Sequence, residues 1–106
     1  MARALINIPR AAKRGDVIEI KALISHPMET GYRHDETGKG IPRDIINRFV
    51  CLYNGVEVFR ADLFPAISAN PFLSFHTVAT ESGVIALAWT GDDGETYTQL
   101  ANITVE

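Results

Sequence analysis

Residues 48–64 read RFVCLY, then NG, then VEVFRADLF, two β-rich runs on either side of Asn54-Gly55. A two-residue turn of that composition supplies the positive φ that a tight hairpin demands, so the stretch predicts two antiparallel strands. In a regular hairpin Tyr53 faces Val56, Cys51 faces Val58 and Phe49 faces Arg60, while Val50, Leu52, Phe59 and Ala61 point to the other side. Both faces are then apolar. An antiparallel sheet with one face in water alternates cleanly, so strands apolar on both sides need cover on both. A second sheet of the same domain supplies one cover; a loop or another protein supplies the other.

Moving outward toward the N-terminus, residues 17–25 alternate, with Ile18, Ile20, Ala22 and Ile24 on one side and Glu19, Lys21 and Ser25 on the other. Leu23 alone breaks the pattern, and the run predicts a half-buried strand. Ala4 to Ile8 reads as a short edge strand stopped by Pro9, and Pro9 to Asp16 as a polar, basic connection. Between the alternating strand and the central hairpin, residues 27–44 show no period and contain Pro27, Gly31, Gly38, Gly40 and Pro42. Loops of this length are either functional or disordered. Two readings stand here: a mobile hairpin tip, or a partner surface that uses the adaptable Met28 and the amphipathic Tyr32.

Toward the C-terminus, Pro65 to Pro71 is too rich in proline for a central strand and is expected to cross from one sheet to the other. Phe72 to Ala79 and Val84 to Thr90 follow as strands, joined by a turn at residues 80–83. Neither displays a wet face, and residues 84–89 are six apolar residues in succession. After the turn Gly91-Asp92-Asp93-Gly94, alternation returns, with Tyr97, Ala101, Ile103 and Val105 opposed by Thr98, Asn102 and Thr104. About seven strands at sandwich-like spacing predict an all-β, antiparallel β-sandwich forming a single domain over residues 1–106.

Ten basic against thirteen acidic residues give a formal charge of −3, with no basic face, which argues against nucleic acid as a partner. The single cysteine, Cys51, rules out an intrachain disulfide. Residues 1–14 hold no apolar h-region, and no run reaches the length that spans a membrane, so the expectation is a chain without an export signal of its own.

Chemistry is sparse. No Gly-x-Ser-x-Gly elbow is present, and Cys51, mid-strand between Val50 and Leu52, reads as a buried, inert thiol. His26, His34 and His76 stand at no ligand-pair spacing with one another or with Cys51. His26 reads as a turn residue, His34 as a solvated loop residue, and His76 as a hydrogen-bonded core or interface residue. Asp92 and Asp93 lack calcium-loop spacing and read as a polar turn. No catalytic residue, metal ligand or cofactor site is expected.

A series of segments, HPMETG (26–31), IPRD (41–44), NRFVC-x-YNG (47–55), VFRADLFP (58–65), ANP (69–71), ATESG (79–83) and WTG (89–91), closely resembles the SoxZ family, the Z subunits of bacterial SoxYZ sulfur-oxidation carriers. The resemblance implies an immunoglobulin-like sandwich that pairs with SoxY as a heterodimer. In that family the partner carries thiosulfate-derived sulfur on the cysteine of a C-terminal Gly-Gly-Cys-Gly-Gly arm and meets the other Sox enzymes, while Z is non-catalytic. It further implies a periplasmic protein exported together with a signal-bearing partner. On this reading Met28, Tyr32, Phe64, Phe72 and Phe75 are the partner-binding candidates, although the phenylalanines suit an ordinary core equally well.

Two rivals remain from other classes. One is a superoxide-reductase-like iron protein, whose centre uses four histidines and a cysteine where this chain has three histidines and Cys51. The other is a binding module that forms a homodimer through the same apolar sheet.

Overall fold

The computed structural model describes residues 3–106. The alternation of residues 17–25 becomes strand β3 (Val17–Ser25), with Ile18, Ile20, Ala22 and Ile24 all buried. On its two sides lie β1 (Arg3–Asn7) and β6 (Phe72–Val78), both antiparallel to it, making a three-stranded sheet. The remaining strands are β2 (Ala11–Ala12), β4 (Ile46–Tyr53), β5 (Val56–Asp62), β7 (Gly83–Gly91) and β8 (Thr96–Val105). They form a five-stranded sheet in the order β2-β8-β7-β4-β5. The two sheets enclose one core, an all-β sandwich of the immunoglobulin-like type, with no helix among the described residues.

Eight strands replace the expected seven because part of the segment read as a connection, Ala11–Ala12, pairs in parallel with Thr104 and Val105. The first edge therefore changes sheets: β1 belongs to one and β2 to the other. The Pro65 to Pro71 segment crosses in the opposite sense, from β5 in the larger sheet to β6 in the smaller.

The central hairpin forms about Asn54 (φ 50°) and Gly55 (φ 81°), both left-handed as a type I′ turn requires. Its register departs from the regular one. A bulge at Cys51/Leu52 sets Cys51 opposite Phe59 and Phe49 opposite Ala61, in place of Val58 and Arg60. One extra residue on β5 reverses the facing of everything beyond it. Phe59 thereby turns inward, onto the side of Phe49 and Cys51.

That reversal completes an aromatic cluster spanning both sheets. Phe59 stacks on Phe75 of the opposite sheet at 4.2 Å between centroids, and Phe49 lies 5.8 Å from Phe75 and 5.2 Å from Trp89. Offset and edge contacts of this kind add to the burial of their area. Truncating fully buried Phe49 to alanine would cost about 3–5 kcal/mol.

At one end of the core the Tyr53 hydroxyl donates to the Glu81 carbonyl and accepts from the backbone N–H groups of Thr80 and Glu81, each at 3.3 Å. It ties the β6–β7 turn to the end of β4. At the other end, residues 27–44 form a defined protrusion. Backbone bridges pair Glu29 with Asp44 and His34 with Gly40, and the Asp35 carboxylate accepts from the N–H groups of Thr37 and Lys39 at the tip. The longest strand, ten residues, spans about 33 Å. The molecule extends 60 × 19 × 18 Å, well beyond the length of that strand.

Candidate interaction surface

Strand β7 decides where an unsatisfied surface lies. Its six-residue apolar run sends Ile85, Leu87 and Trp89 into the core and leaves Val84, Ala86 and Ala88 on the outside of the five-stranded sheet. Register then shows what flanks them. One row across the outer face runs Glu57–Leu52–Ala86–Leu100 and the next runs Arg60–Val50–Ala88–Thr98. Val50, Leu52, Ala86 and Ala88 are half-buried by one another, while Leu100 is 62% exposed and Val84 41%. The rim is polar: the Arg60–Glu57 ion pair at 2.8 Å on one side, Thr98 and Asn102 on the other. An apolar centre with a polar rim is the anatomy of a protein interface, and small residues at the centre of a sheet allow a second layer to approach closely.

The five partner-binding candidates read from the sequence do not gather at one place. Tyr32 (78% exposed) is on the protrusion, and Phe64 (64% exposed) follows β5. Phe72 points outward from the other sheet, in a single apolar row with Leu5 and Leu23. Phe75 belongs to the core, stacked on Phe59, and Met28 is likewise buried, its sulfur accepting from the Ile46 N–H. Both side chains are taken up by the core of the isolated chain. The outer face of the five-stranded sheet holds none of the five; in the sequence it is marked by the apolar run of residues 84–89 and the two-faced hairpin.

The potential metal-ligating groups are equally dispersed. Cys51 is sealed in the core, and burial pushes its thiol up to about 11. His34 is out on the protrusion, and His26 sits at its base with Nδ1 accepting from the Met28 N–H at 3.0 Å. His76, expected in a core or interface, is 58% exposed on the outside of β6 beside Glu19, because β6 alternates and has a wet side after all. Among the described residues no three His, Cys, Asp or Glu side chains converge as metal ligands would.

Asp92 is a turn residue with a demanding structural task. Its carboxylate accepts from Arg43 Nε (2.8 Å) and Nη2 (2.9 Å), from Asn47 Nδ2 (3.0 Å) and from the Ile45 N–H (3.1 Å), clamping the base of the protrusion to the β7–β8 turn. Burial opposes its ionisation, but the hydrogen bonds from Asn47 and Arg43 outweigh that and hold the carboxyl below its usual range. At the same base Gly31 takes φ +88°, and a Cβ there would stand 3.0 Å from that of Arg43. The segment read as loop is therefore built rather than loose.

The profile of the family described as sulphur oxidation protein SoxZ matches residues 6–102. The chain belongs to the SoxZ family. Solved structures of the same fold include a superoxide reductase (neelaredoxin) from Ignicoccus hospitalis, at 18% identity and TM-score 0.76, covering 97% of this chain and 80% of that one. The sulfur carrier protein SoxY from Chlorobium limicola f. thiosulfatophilum aligns at 13% identity and TM-score 0.69, covering 97% and 78%. A putative superoxide reductase from Thermotoga maritima aligns at 17% identity and TM-score 0.71, covering 97% and 85%. Comparison with curated proteins gives no match. At these identities the neighbours establish the shared sandwich. For this SoxZ-family chain, the dispersal of Cys51 and the three histidines gives the iron-protein reading no assembled ligand set.

Proposed function

We propose that this SoxZ-family chain is the non-catalytic subunit of a sulfur-carrier heterodimer and binds a SoxY-type partner through the outer face of its five-stranded sheet. The observation that carries the reading is the apolar centre made by Val50, Leu52, Ala86, Ala88 and Leu100 on three adjacent strands of that sheet. The competing face of the smaller sheet carries two apolar rows, Leu5–Leu23–Phe72 and Val17–Val78, but polar rows through Lys21–Ser74 and Glu19–His76 separate them, so it offers no continuous apolar centre. A sandwich partner has sheet faces of like twist to offer, and two such faces pack about 10 Å apart when the residues between them are small and apolar. The family likeness to carrier subunits supports the sulfur-carrying role of the pair, with the cargo on the partner's C-terminal cysteine arm. The burial of Cys51 supports that division of labour, because a thiolate is the reactive form and this thiol is held neutral. The periplasm, reached by export with a signal-bearing partner, is the compartment this role requires.

Native mass spectrometry of the protein isolated from its own cell, without reducing agent, tests the reading. A one-to-one complex whose partner carries sulfur adducts is the expected result. A homodimer without adducts, or a bound iron mass, would overturn it.

A further inference from the structure

Asn54 does more than open the central hairpin. Its backbone N–H donates to the Val84 carbonyl at 2.9 Å, its Oδ1 accepts from the Val84 N–H at 2.9 Å, and its Nδ2 donates to the Ser82 carbonyl at 3.3 Å. The carboxamide therefore lies across the β6–β7 turn, over residue 83. Only glycine fits beneath it, because a Cβ at position 83 would overlap the Asn54 carboxamide. The preceding residue grips the same turn, through the Tyr53 hydroxyl and the backbone of Thr80 and Glu81.

The sequence at this point has a reactivity of its own. The peptide nitrogen that follows an asparagine can attack the side-chain Cγ; a bulky next residue hinders the attack, and proline has no N–H to lose. Of the five asparagines, Asn7 and Asn102 precede isoleucine, Asn47 precedes arginine and Asn70 precedes proline, while Asn54 alone precedes glycine. Gly55 carries no Cβ to stand in the way. Asn54 is exposed, so water and base reach it and burial offers no protection. What the fold withholds is conformation. With Asn54 in the left-handed turn (φ 50°) and both carboxamide heteroatoms held by residues 82 and 84, Cγ is directed at the neighbouring hairpin and is not free to swing onto the Gly55 nitrogen.

We propose that Asn54-Gly55 is a self-modification site kept latent by the β6–β7 turn, and that it deamidates only when that turn lifts. In the opened state the Gly55 nitrogen bonds to Asn54 Cγ, the Cγ–Nδ2 bond breaks, and the former Gly55 amide proton leaves with Nδ2 as ammonia. Water then adds to the five-membered imide and opens it to aspartate or isoaspartate, with no oxidant or cofactor required. The step is one-way. An aspartate places a carboxylate oxygen where the Ser82 carbonyl had a donor, and an isoaspartate adds a methylene to the backbone of a two-residue turn. None of this depends on the partner proposed above.

Peptide mass mapping of the whole chain, held at mildly alkaline pH and sampled over time, follows the conversion of residue 54 directly. The hydrogen bonds from Asn54 to Ser82 and Val84 are expected to slow it about 10- to 1,000-fold relative to the same chain unfolded in urea. Gly83→Ala, shown to be folded by its amide dispersion, is expected to expel the carboxamide and accelerate the folded chain about tenfold or more. Tyr53→Phe loosens the same turn while leaving Asn54 and Gly83 in place; it is expected to accelerate the folded chain about fivefold or more, and it carries the test if Gly83→Ala does not fold. Urea below the unfolding transition is expected to leave the folded rate nearly unchanged, since lifting one turn exposes little surface. Equal rates for folded and unfolded parent, folded variants that react no faster than the parent, or a rate that climbs with urea as steeply as global unfolding would overturn the proposal.

Discussion

Placing a charge at the middle of the outer face separates docking from folding. Ala86 lies on β7 between Leu52 and Leu100, half-buried by them and facing away from the core. In the isolated chain the carboxylate of Ala86→Asp reaches water at once, so its cost is the poorer strand preference of aspartate, up to about 1 kcal/mol. In the complex that carboxylate is enclosed between two apolar layers without a partner. An unpaired charge at the centre of an interface costs about 2–5 kcal/mol, which is about 30- to 4,000-fold in Kd. Isothermal titration of the variant against the SoxY-type partner, alongside urea unfolding of the variant alone, measures both quantities. Phe72→Asp, on the outside of the opposite sheet, is the matched control and is expected to leave the affinity within about threefold. The reasoning is refuted if Ala86→Asp binds normally, or if Phe72→Asp is the variant that abolishes binding.

Other consequences are open to measurement. Tyr53→Phe removes a hydroxyl that serves two N–H donors and one carbonyl in a part-buried site and should cost about 1–3 kcal/mol by urea unfolding. The folded pKa of Asp92 is depressed, so its stabilisation is present above about pH 4 and is lost as pH falls through the lower folded value. The stability gap between the parent and Asp92→Asn should therefore narrow on acidification, and a gap constant down to pH 2 would contradict the clamp at the protrusion's base. With its thiol raised to about 11, Cys51 should resist iodoacetamide at pH 7 in the folded protein and react once urea exposes it. Its thiolate fraction is about 300-fold below that of a free thiol. Cys51→Ala should leave the sulfur-oxidation activity of a reconstituted system within about twofold, and complete loss with normal assembly would contradict the scaffold role.

Much of the fold is legible in local pattern. Asn54-Gly55 admits one tight turn, alternation in residues 17–25 and 97–105 assigns inside and outside, and Pro65 and Pro71 bracket the passage between sheets. What escapes is decided by long-range geometry. No residue type signals the bulge at Cys51/Leu52, yet that one inserted residue determines whether Phe59 is core or surface. The short parallel pairing of Ala11–Ala12 with β8 depends on where the end of β8 lies in space. The candidate surface was half readable: a hairpin apolar on both sides announces a face needing cover, but which residues compose it follows only from cross-strand register. Phe75 and Met28 suit an interface by type and are nonetheless consumed by the core, while Ala86 and Ala88, unremarkable by type, occupy the centre of the exposed sheet. The saturation of Asp92 likewise depends on Arg43 arriving from forty-nine residues away.

Methyl NMR of the alanine-labelled protein, free and bound to a SoxY-type partner, with a soluble paramagnetic agent in the buffer, reads out the docking face. The Ala86 and Ala88 methyls are expected to broaden in the free protein and to be shielded in the complex. Unchanged broadening at Ala86 and Ala88 in a saturated complex, with new shielding elsewhere, would contradict the assignment of this face.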